Sequence, residues 1–550
     1  MFLRSQARYL AAVSALALVS ACVDNPLDVD NVNNPDVDRV YASPANVETT
    51  VSQLFKNMYN GQYNASDAIW TQSMSMSFES HSQLGNFGMG TRAAIPRNPI
   101  DNSIGNGQAD GNFRDFDHLS RNAKSAGNTI AAINGFAAKN ISIGGAARDA
   151  RAKSFAYFAL GYATGQLSLL YDSAVIILPT QASDEIPPYS AYAAANAAAL
   201  EALDSALAIA NSAAAAGTGG WPIPTDWMST TATIDRPTWI RMLRSYKAKF
   251  RAGVARTAAE RTAVNWANVI ADATNGITSD FVVNANATTG WGAAPIQQLR
   301  VSSGWSQMTP MILGMGDTTR AYDAWLAQPL QQRTPFLLRT PDKRFPSGET
   351  RAVQTAVTGT GKGGPTAGSI LYFRNRPEGE DTPAEPWGNW YYDNWRFWAI
   401  GAGGGNGPFV VFSRAENDML AAEGYLRTGN IAAAATLIDK TRVPAGLAPV
   451  TGMTSLTQQV PGGNACVPRV PQAPNFTTTA CGTIFEAMKW EKRVETSFTG
   501  YAQWFIDARG WGDLTQGTAL HWPVPYQELF ARLLPSYTTQ EKAVKGTYGF

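Results

Sequence analysis

The residues best suited to meeting a ligand fall in one run, Pro386-Trp387-Gly388-Asn389-Trp390-Tyr391-Tyr392-Asp393-Asn394-Trp395-Arg396-Phe397-Trp398. Four Trp, two Tyr and one Phe are interleaved there with amide, carboxylate and guanidinium groups. Flat apolar faces beside such polar groups suit sugar rings, whose C–H faces stack on aromatic rings and whose hydroxyls take directed hydrogen bonds. Trp291 and Trp305, in the same stretch of chain, extend such a platform. Neighbouring side chains on a strand point to opposite faces, so a run of adjacent aromatics cannot all face one side, and some of them should be exposed. The expected ligand contacts are therefore Trp387, Trp390, Tyr391, Tyr392, Trp395, Trp398, Trp291 and Trp305. The competing reading is a hairpin whose aromatics pack inward.

Residues for bond-making chemistry are sparse. His81, His118 and His521 are isolated, and neither HExxH nor GxSxG occurs. Gly359-Thr360-Gly361-Lys362-Gly363-Gly364 fits GxGxxG formally, but Pro365 follows at once and no helix opens there, so it reads as a loop. Glu378, Glu380, Asp381 and Glu385 could pair as glycosidase carboxylates or surround Ca²⁺, yet a Pro/Gly-rich loop gives them no fixed geometry. The expectation is a chain with no catalytic residue, no metal site and no cofactor. A lipid-anchored glycoside hydrolase and a purely structural surface protein stand as alternatives.

The elements that must position these residues follow from the rest of the chain. Its 550 residues carry 44 Lys and Arg against 43 Asp and Glu, for a net charge of +1, so the basic surplus of a nucleic-acid binder is missing. Arg4 and Arg8 precede an apolar run, Tyr9 to Val19, of the length of a signal h-region and too short to span a bilayer. Val19-Ser20-Ala21-Cys22 then resembles a bacterial lipobox, which makes Cys22 the acylated first residue after cleavage and leaves 42 basic against 43 acidic residues. Two or more acyl chains give stable anchoring. The alternative is an ordinary secretory signal. Asp24, Asp28, Asp30, Asp36 and Asp38 mark residues 22–42 as an acidic, solvated tether. The stretch Ala191 to Ala216 is interrupted by Asn196, Glu201, Asp204 and Asn211 and reads as an amphipathic helix, so contact with the membrane is expected through lipid alone. Cys466 and Cys481 would both sit in an oxidising compartment, and the Pro and Asn turn-formers between them let the loop close, so a disulfide is expected; the spacing excludes a CxxC metal site.

Helical periodicity dominates residues 43–275. Ser43-Pro44 caps a first helix, followed by helices over 119–138, 147–171, 189–216, 238–257 and 262–274. It fades through 276–412, where Gly, Pro and Trp rise. It resumes over 413–550, with helices at 413–428, 431–441 and 483–498. The fold expected is mainly α: a tetratricopeptide-like scaffold of antiparallel helix pairs with a long, irregular, loop-rich insertion carrying short strands. The pairing and the Ala/Gly composition support this; a clean repeat period is not found.

Three C-terminal segments then resemble one family. Ser413-Arg414-Ala415-Glu416-Asn417-Asp418-Met419-Leu420-Ala421-Ala422-Glu423 is similar to the R-x-A-E-x-x-L-x-x-A-E helix of the SusD/RagB family. Ile438-Asp439-Lys440-Thr441-Arg442-Val443-Pro444-Ala445-Gly446-Leu447 resembles I-N-x-x-R-x-R-A-G-L, departing at Asp439 and Pro444. Trp490 to Leu514 resembles E-R-x-x-E-L-x-x-E-G-x-R-x-x-D-L-x-R-W-G, with Lys492 between Glu491 and Arg493 and with Thr499 in place of Glu. Pro523-Val524-Pro525-Tyr526-Gln527-Glu528-Leu529 matches the P-I-P-x-x-E-L ending. Independently of the family, Arg442, Arg493, Arg509, Glu416, Glu423, Glu491 and Glu495 read as structural ion pairs in a packed helical interface. The resemblance implies an outer-membrane lipoprotein facing outward that captures a nutrient, glycan first and peptide second. It also implies a SusC-like TonB-dependent barrel as partner, over which the protein sits as a lid.

If Cys22 carries the anchor, Cys22→Ser will incorporate no labelled palmitate and will leave the membrane fraction, whereas the wild type is labelled and sediments with membranes.

Overall fold

The computed structural model describes residues 40–550 except 65–66, 183–184, 293–295, 300–303, 359–368, 377 and 381–384. The Cys22 lipobox, nearly all of the acidic tether, Asp381 and the Gly359–Gly364 loop lie outside the described residues.

The first helix, α1 (Pro44–Tyr63), begins where Ser43 Oγ accepts from the Asn46 N–H at 3.2 Å, with Pro44 in the first turn where its missing N–H costs nothing. Val47, Val51, Leu54, Phe55 and Met58 form its buried stripe. There follow α2 (Ile69–Met76), α3 (Asp110–Ala138), α4 (Ala146–Leu170), α5 (Tyr192–Asn211), α6 (Arg236–Gly253), α7 (Ala258–Ala263) and α8 (Trp266–Thr274). The C-terminal helices are α9 (Arg414–Arg427), α10 (Ile431–Arg442), α11 (Ile484–Thr496) and α12 (Gln503–Trp511). Packing runs along the chain: α1 on α3, α3 on α4, α4 on α5, α5 on α6, α6 on α8, α8 on α9, and α9 on both α10 and α11. This is the mainly helical, paired scaffold expected.

Small residues set the spacing. A Cβ added at Gly161 of α4 would lie 2.9 Å from the Ala199 carbonyl oxygen of α5, and one at Gly165 would strike the Phe250 ring of α6 at 2.5 Å. Ser154 of α4 donates to the Ala206 carbonyl of α5 at 2.8 Å and accepts from Trp239 Nε1 of α6 at 2.9 Å, so one hydroxyl ties three helices. Helix α5 is long and apolar enough to cross a membrane by composition alone. Its alanine face (Ala195, Ala199, Ala202, Ala206, Ala210) is instead buried within the protein.

Helix α3 starts at Asp110, nine residues before the expected start at Leu119, and the helix expected over 262–274 begins later, as α8 at Trp266, with the short α7 ahead of it. The early turns of α3 are polar, and tertiary hydrogen bonds hold them. Buried Asp115 accepts from the Ile69 N–H at 2.8 Å and from the Tyr501 hydroxyl, despite burial that pushes its pKa up to about 7.

Among the described residues, four two-stranded antiparallel sheets decorate the helices. β1 (Ser173–Val175) pairs with β2 (Tyr189–Ala191), and β3 (Phe281–Ala285) pairs with β6 (Gly407–Phe412), joining the two ends of the irregular segment. β4 (Phe373–Asn375) pairs with β5 (Tyr392–Asn394), and β7 (Arg469–Pro471) with β8 (Thr479–Cys481). Cys466 and Cys481 are joined as a disulfide beside this last ribbon.

Buried ion pairs cross from the N-terminal to the C-terminal helices. Arg261 of α7 donates to both oxygens of Glu423 on α9, at 3.0 and 2.6 Å, and to Asp507 on α12 at 3.1 Å. Lys492 reaches the same Asp507 oxygen at 2.8 Å, and Lys249 of α6 pairs with Glu416 at 2.9 Å. Arg344, from the irregular segment, contacts Asp342, Glu491 and Glu495. Burial raises carboxylate pKa values, but bidentate Arg261 overrides it at Glu423 and holds that group down to about 2. At Glu416, one helical heptad earlier, burial wins and the shift is upward.

Arg261→Ala leaves Glu423 and Asp507 short of a partner in the core, and its urea midpoint should fall by an amount worth about 3–5 kcal/mol. Glu79, fully buried and accepting from the Phe498 N–H at 2.7 Å, is pushed by burial up to about 8. Its raised value means that the folded state holds a proton the unfolded state releases from about pH 4.5. Its contribution is therefore complete below pH 4.5 and is lost as pH rises through 8. Glu79→Gln should flatten the fall in unfolding free energy across that window, which for one proton has a slope of at most about 1.4 kcal/mol per pH unit.

Candidate functional site

The aromatic run does not form an exposed platform. Trp387, Trp390, Tyr392 and Trp395 are buried, as is Trp291. Exposure would require a strand with one uncovered face, but β5 is covered on both. Across the ladder Arg374 faces Asp393, and Asp393 is clamped by Arg374 at 3.2 Å and Arg376 at 2.7 Å. Asn394 donates to Ser497 Oγ at 2.7 Å, just past the end of α11. The Tyr392 hydroxyl bonds Gln354 Oε1 at 2.7 Å and accepts from the Leu338 N–H at 2.9 Å. Trp390 Nε1 donates to the Phe336 carbonyl at 2.7 Å, and Trp387 stands edge-on to His81 with ring centres 4.8 Å apart. Trp291 packs among Tyr59 and Phe55 of α1, at 5.5 and 6.1 Å. These five rings are core, and the inward-packing reading holds for them.

Three of the predicted contacts remain half-buried: Tyr391, Trp398 and Trp305. Arg351 lies over the Tyr391 ring at 4.6 Å, and Trp398 opens a short helix, Trp398–Ala402. Trp305 meets a partner that the sequence reading missed, Phe87, also half-buried, with ring centres 6.2 Å apart. Phe87 adopts a left-handed backbone, φ +53°, uncommon for a bulky residue and tolerated beside Gly88, also left-handed at +76°. The available signal was an aromatic flanked by glycines, Gly85-Asn86-Phe87-Gly88, in a loop between helices.

Hydrogen bonds fix this ring pair. The Phe87 N–H donates to Gln108 Oε1 at 2.6 Å, the Gln108 N–H to Asn106 Oδ1 at 2.9 Å, and Asn106 Nδ2 to the Asp101 carbonyl at 2.8 Å. Behind Phe87 lies a cavity of about 140 Å³ lined in part by Gln72, Arg92, Asp101, Asn106, Gln108 and Asn112. On the other side, the His81 N–H donates to the Gln307 carbonyl at 2.6 Å and Gln307 N–H returns a bond at 2.9 Å, which places the segment carrying Trp305. His81 Nε2 is hydrogen bonded to Glu385 at 2.7 Å, fastening the start of the aromatic run to the same place; that bond holds the Glu385 carboxyl below its usual range. The arrangement is a rigid rim of two rings beside an amide- and carboxylate-lined hollow, suited to stacking and hydrogen bonding.

The same geometry bears on chemistry. Glu385, one of the loop carboxylates weighed above, is engaged with His81. Burial lowers the pKa of His521 to about 3 and also lowers that of His118. Among the described residues, no three His, Cys, Asp or Glu side chains converge as a metal site. Arg442, Arg493, Glu416, Glu423, Glu491 and Glu495 all take part in ion pairs of the helical interior, and Arg509 donates to the Leu520 and Gly253 carbonyls at 2.8 and 3.0 Å.

No family model and no curated protein matches the chain. Solved structures do. A SusD superfamily protein from Bacteroides vulgatus superposes with a TM-score of 0.51 at 13% identity, over 89% of this chain and 90% of that one. A SusD homolog from Parabacteroides distasonis gives 0.52 at 13% identity, over 91% and 93% of the two chains. A SusD superfamily protein from the same organism gives 0.50 at 11% identity, covering 92% of this chain and 100% of its own. Over about nine-tenths of its length this chain shares the fold of these SusD-type structures.

Proposed function

We propose that the chain is a lipid-anchored, outward-facing outer-membrane protein of the SusD/RagB type, which binds a nutrient glycan and delivers it to a TonB-dependent barrel without cleaving it. The observation that carries this reading is a fold shared over about nine-tenths of the chain with SusD superfamily proteins. The lipobox at Cys22 and the ordered C-terminal motifs support it.

The Phe87–Trp305 rim supplies the recognition surface. Two half-buried rings offer area for the apolar face of a sugar, and aromatic contacts of this kind are worth about 0.5–1.5 kcal/mol beyond area burial. Because the rim is already held by Gln108, Asn106 and the His81–Gln307 pair, little ordering cost remains at binding. Work of this kind is affinity and release, and it needs no proton transfer.

Calorimetric titration of the purified chain with a panel of oligosaccharides and oligopeptides tests the assignment. Phe87→Ala with Trp305→Ala should weaken glycan binding by about tenfold or more, the loss of two stacking contacts. Undiminished glycan binding removes the rim as the site, and binding confined to the peptides replaces glycan with peptide. Purification from native membranes should bring down a large barrel; its absence counts against the delivery role.

A further inference from the structure

A second cavity, of about 380 Å³, opens elsewhere on the molecule and shares no lining residue with the Phe87 hollow. It lies between residues 230–234, the first two turns of α6 and residues 277–282. Its floor is apolar, made by buried Ile234, Met242, Ile277 and Phe281. Its walls are hydroxyl-rich: Thr230, Thr231, Thr233, Thr238, Thr278 and Ser279 all line it. Arg241 and Asp280, both exposed, add one charge of each sign.

The walls are held by the frame. Ile223 and Ile234 exchange backbone bonds at 2.8 and 3.1 Å. Ser229 Oγ donates to the Asn284 carbonyl at 2.8 Å, while the Asn284 N–H returns a bond to the Ser229 carbonyl at 2.6 Å, pinning the loop to β3. Asp235 caps α6 by accepting from the Thr238 N–H at 2.8 Å, and Asp280 Oδ1 accepts from the Arg414 N–H at 2.7 Å. With those bonds made, the side chains of Thr231, Thr233, Thr278, Ser279 and Arg241 have no hydrogen-bond partner among the described residues.

We infer that this cavity is a binding site for a neutral, polyhydroxylated ligand of mono- to disaccharide size. The volume sits at the small end of the roughly 300–1,000 Å³ typical of small-molecule sites. A lining of hydroxyls that both donate and accept is complementary to a ligand made of hydroxyls, and poor for a hydrocarbon. Opposite charges at Arg241 and Asp280 leave no net field to select an ion. They instead provide a donor fork and an acceptor to straddle a vicinal diol. The apolar floor takes the C–H face of the same ligand.

The test is calorimetric titration of the full chain with maltose, cellobiose, lactose and sorbitol. At least one should bind, and Arg241→Ala or Asp280→Asn should each weaken it by about tenfold, the scale of one hydrogen bond to a charged group. Both positions are exposed, and the amide oxygen introduced by Asp280→Asn can still accept from the Arg414 N–H, so circular dichroism should match the wild type. The Phe87→Ala, Trp305→Ala variant should retain this binding. Failure of all four probes to bind, or binding unchanged in both Arg241→Ala and Asp280→Asn, overturns the inference. Loss in the Phe87 and Trp305 variant alone rejects it too, and leaves the proposed function standing on the ring rim.

Discussion

Charge buried without a partner is among the costliest things a folded chain can contain, and this one buries charge in its middle. Arg261, Glu423, Asp507 and Lys492 are all withdrawn from water, as are Lys249 with Glu416 and Arg344 with Asp342 and Glu491. Each charge is tolerable only when its counterpart arrives from another part of the sequence. The cations Lys249 and Arg261 come from the N-terminal helices, the anions Glu416, Glu423 and Asp507 from the C-terminal helices, and Arg344 from the segment between. Net stabilisation per pair is small, because desolvation opposes attraction, but misalignment is heavily penalised. The network therefore selects register. It fixes where α9, α11 and α12 sit against α6 and α7, while smooth alanine and glycine faces along α4 and α5 let the remaining helices close.

That constraint explains the fate of the aromatic run. Arg344 must reach Glu491 and Glu495 on α11, which draws its own segment onto the C-terminal helices. β4 and β5 follow, with Phe373 stacked on Phe345 at 4.3 Å and Asn394 bonded to Ser497. The ribbon lies between layers, so both faces need apolar or paired side chains. Trp387, Trp390 and Tyr392 supply the first, and Asp393 with Arg374 and Arg376 the second. Of the predicted rings, Tyr391, Trp398 and Trp305 stay half-buried, the last of them beside Phe87.

What the sequence made legible was local and periodic. Helices with a cap and a clean apolar stripe, such as Ser43–Pro44 into α1 and Ser413 into α9, are readable because the signals lie within a turn of the helix start. The structural role of Glu423 and Arg442 was legible too, since charged side chains on packed helix faces need partners. The early turns of α3 were not. Asp110 to His118 is polar, and what holds it helical is Asp115 bonded to Ile69 and Tyr501, the latter 386 residues away. The burial of β5 was illegible for the same reason: alternation along a strand reveals two faces, but not how many neighbours cover them. The hydroxyl cavity has no local signature, because its lining comes from residues 230–242 and 277–282 brought together by α6 and β3.

The network also limits how such a protein can act. A hinge between the N-terminal and C-terminal helices would have to separate Arg261 from Glu423 and Asp507, and Lys249 from Glu416. A hinge movement that left any one of these charges buried without its partner would cost about 3–5 kcal/mol, so the pairs oppose every partial opening. Glu79 bonded to Phe498 and Tyr501 bonded to Asp115 add further links across the same boundary. Under the proposed function, capture is then favoured at the surface, away from the paired interior. Contacts prepared before binding leave more of the interaction energy for a ligand, and the hydrogen bonds around Phe87 are contacts of that kind.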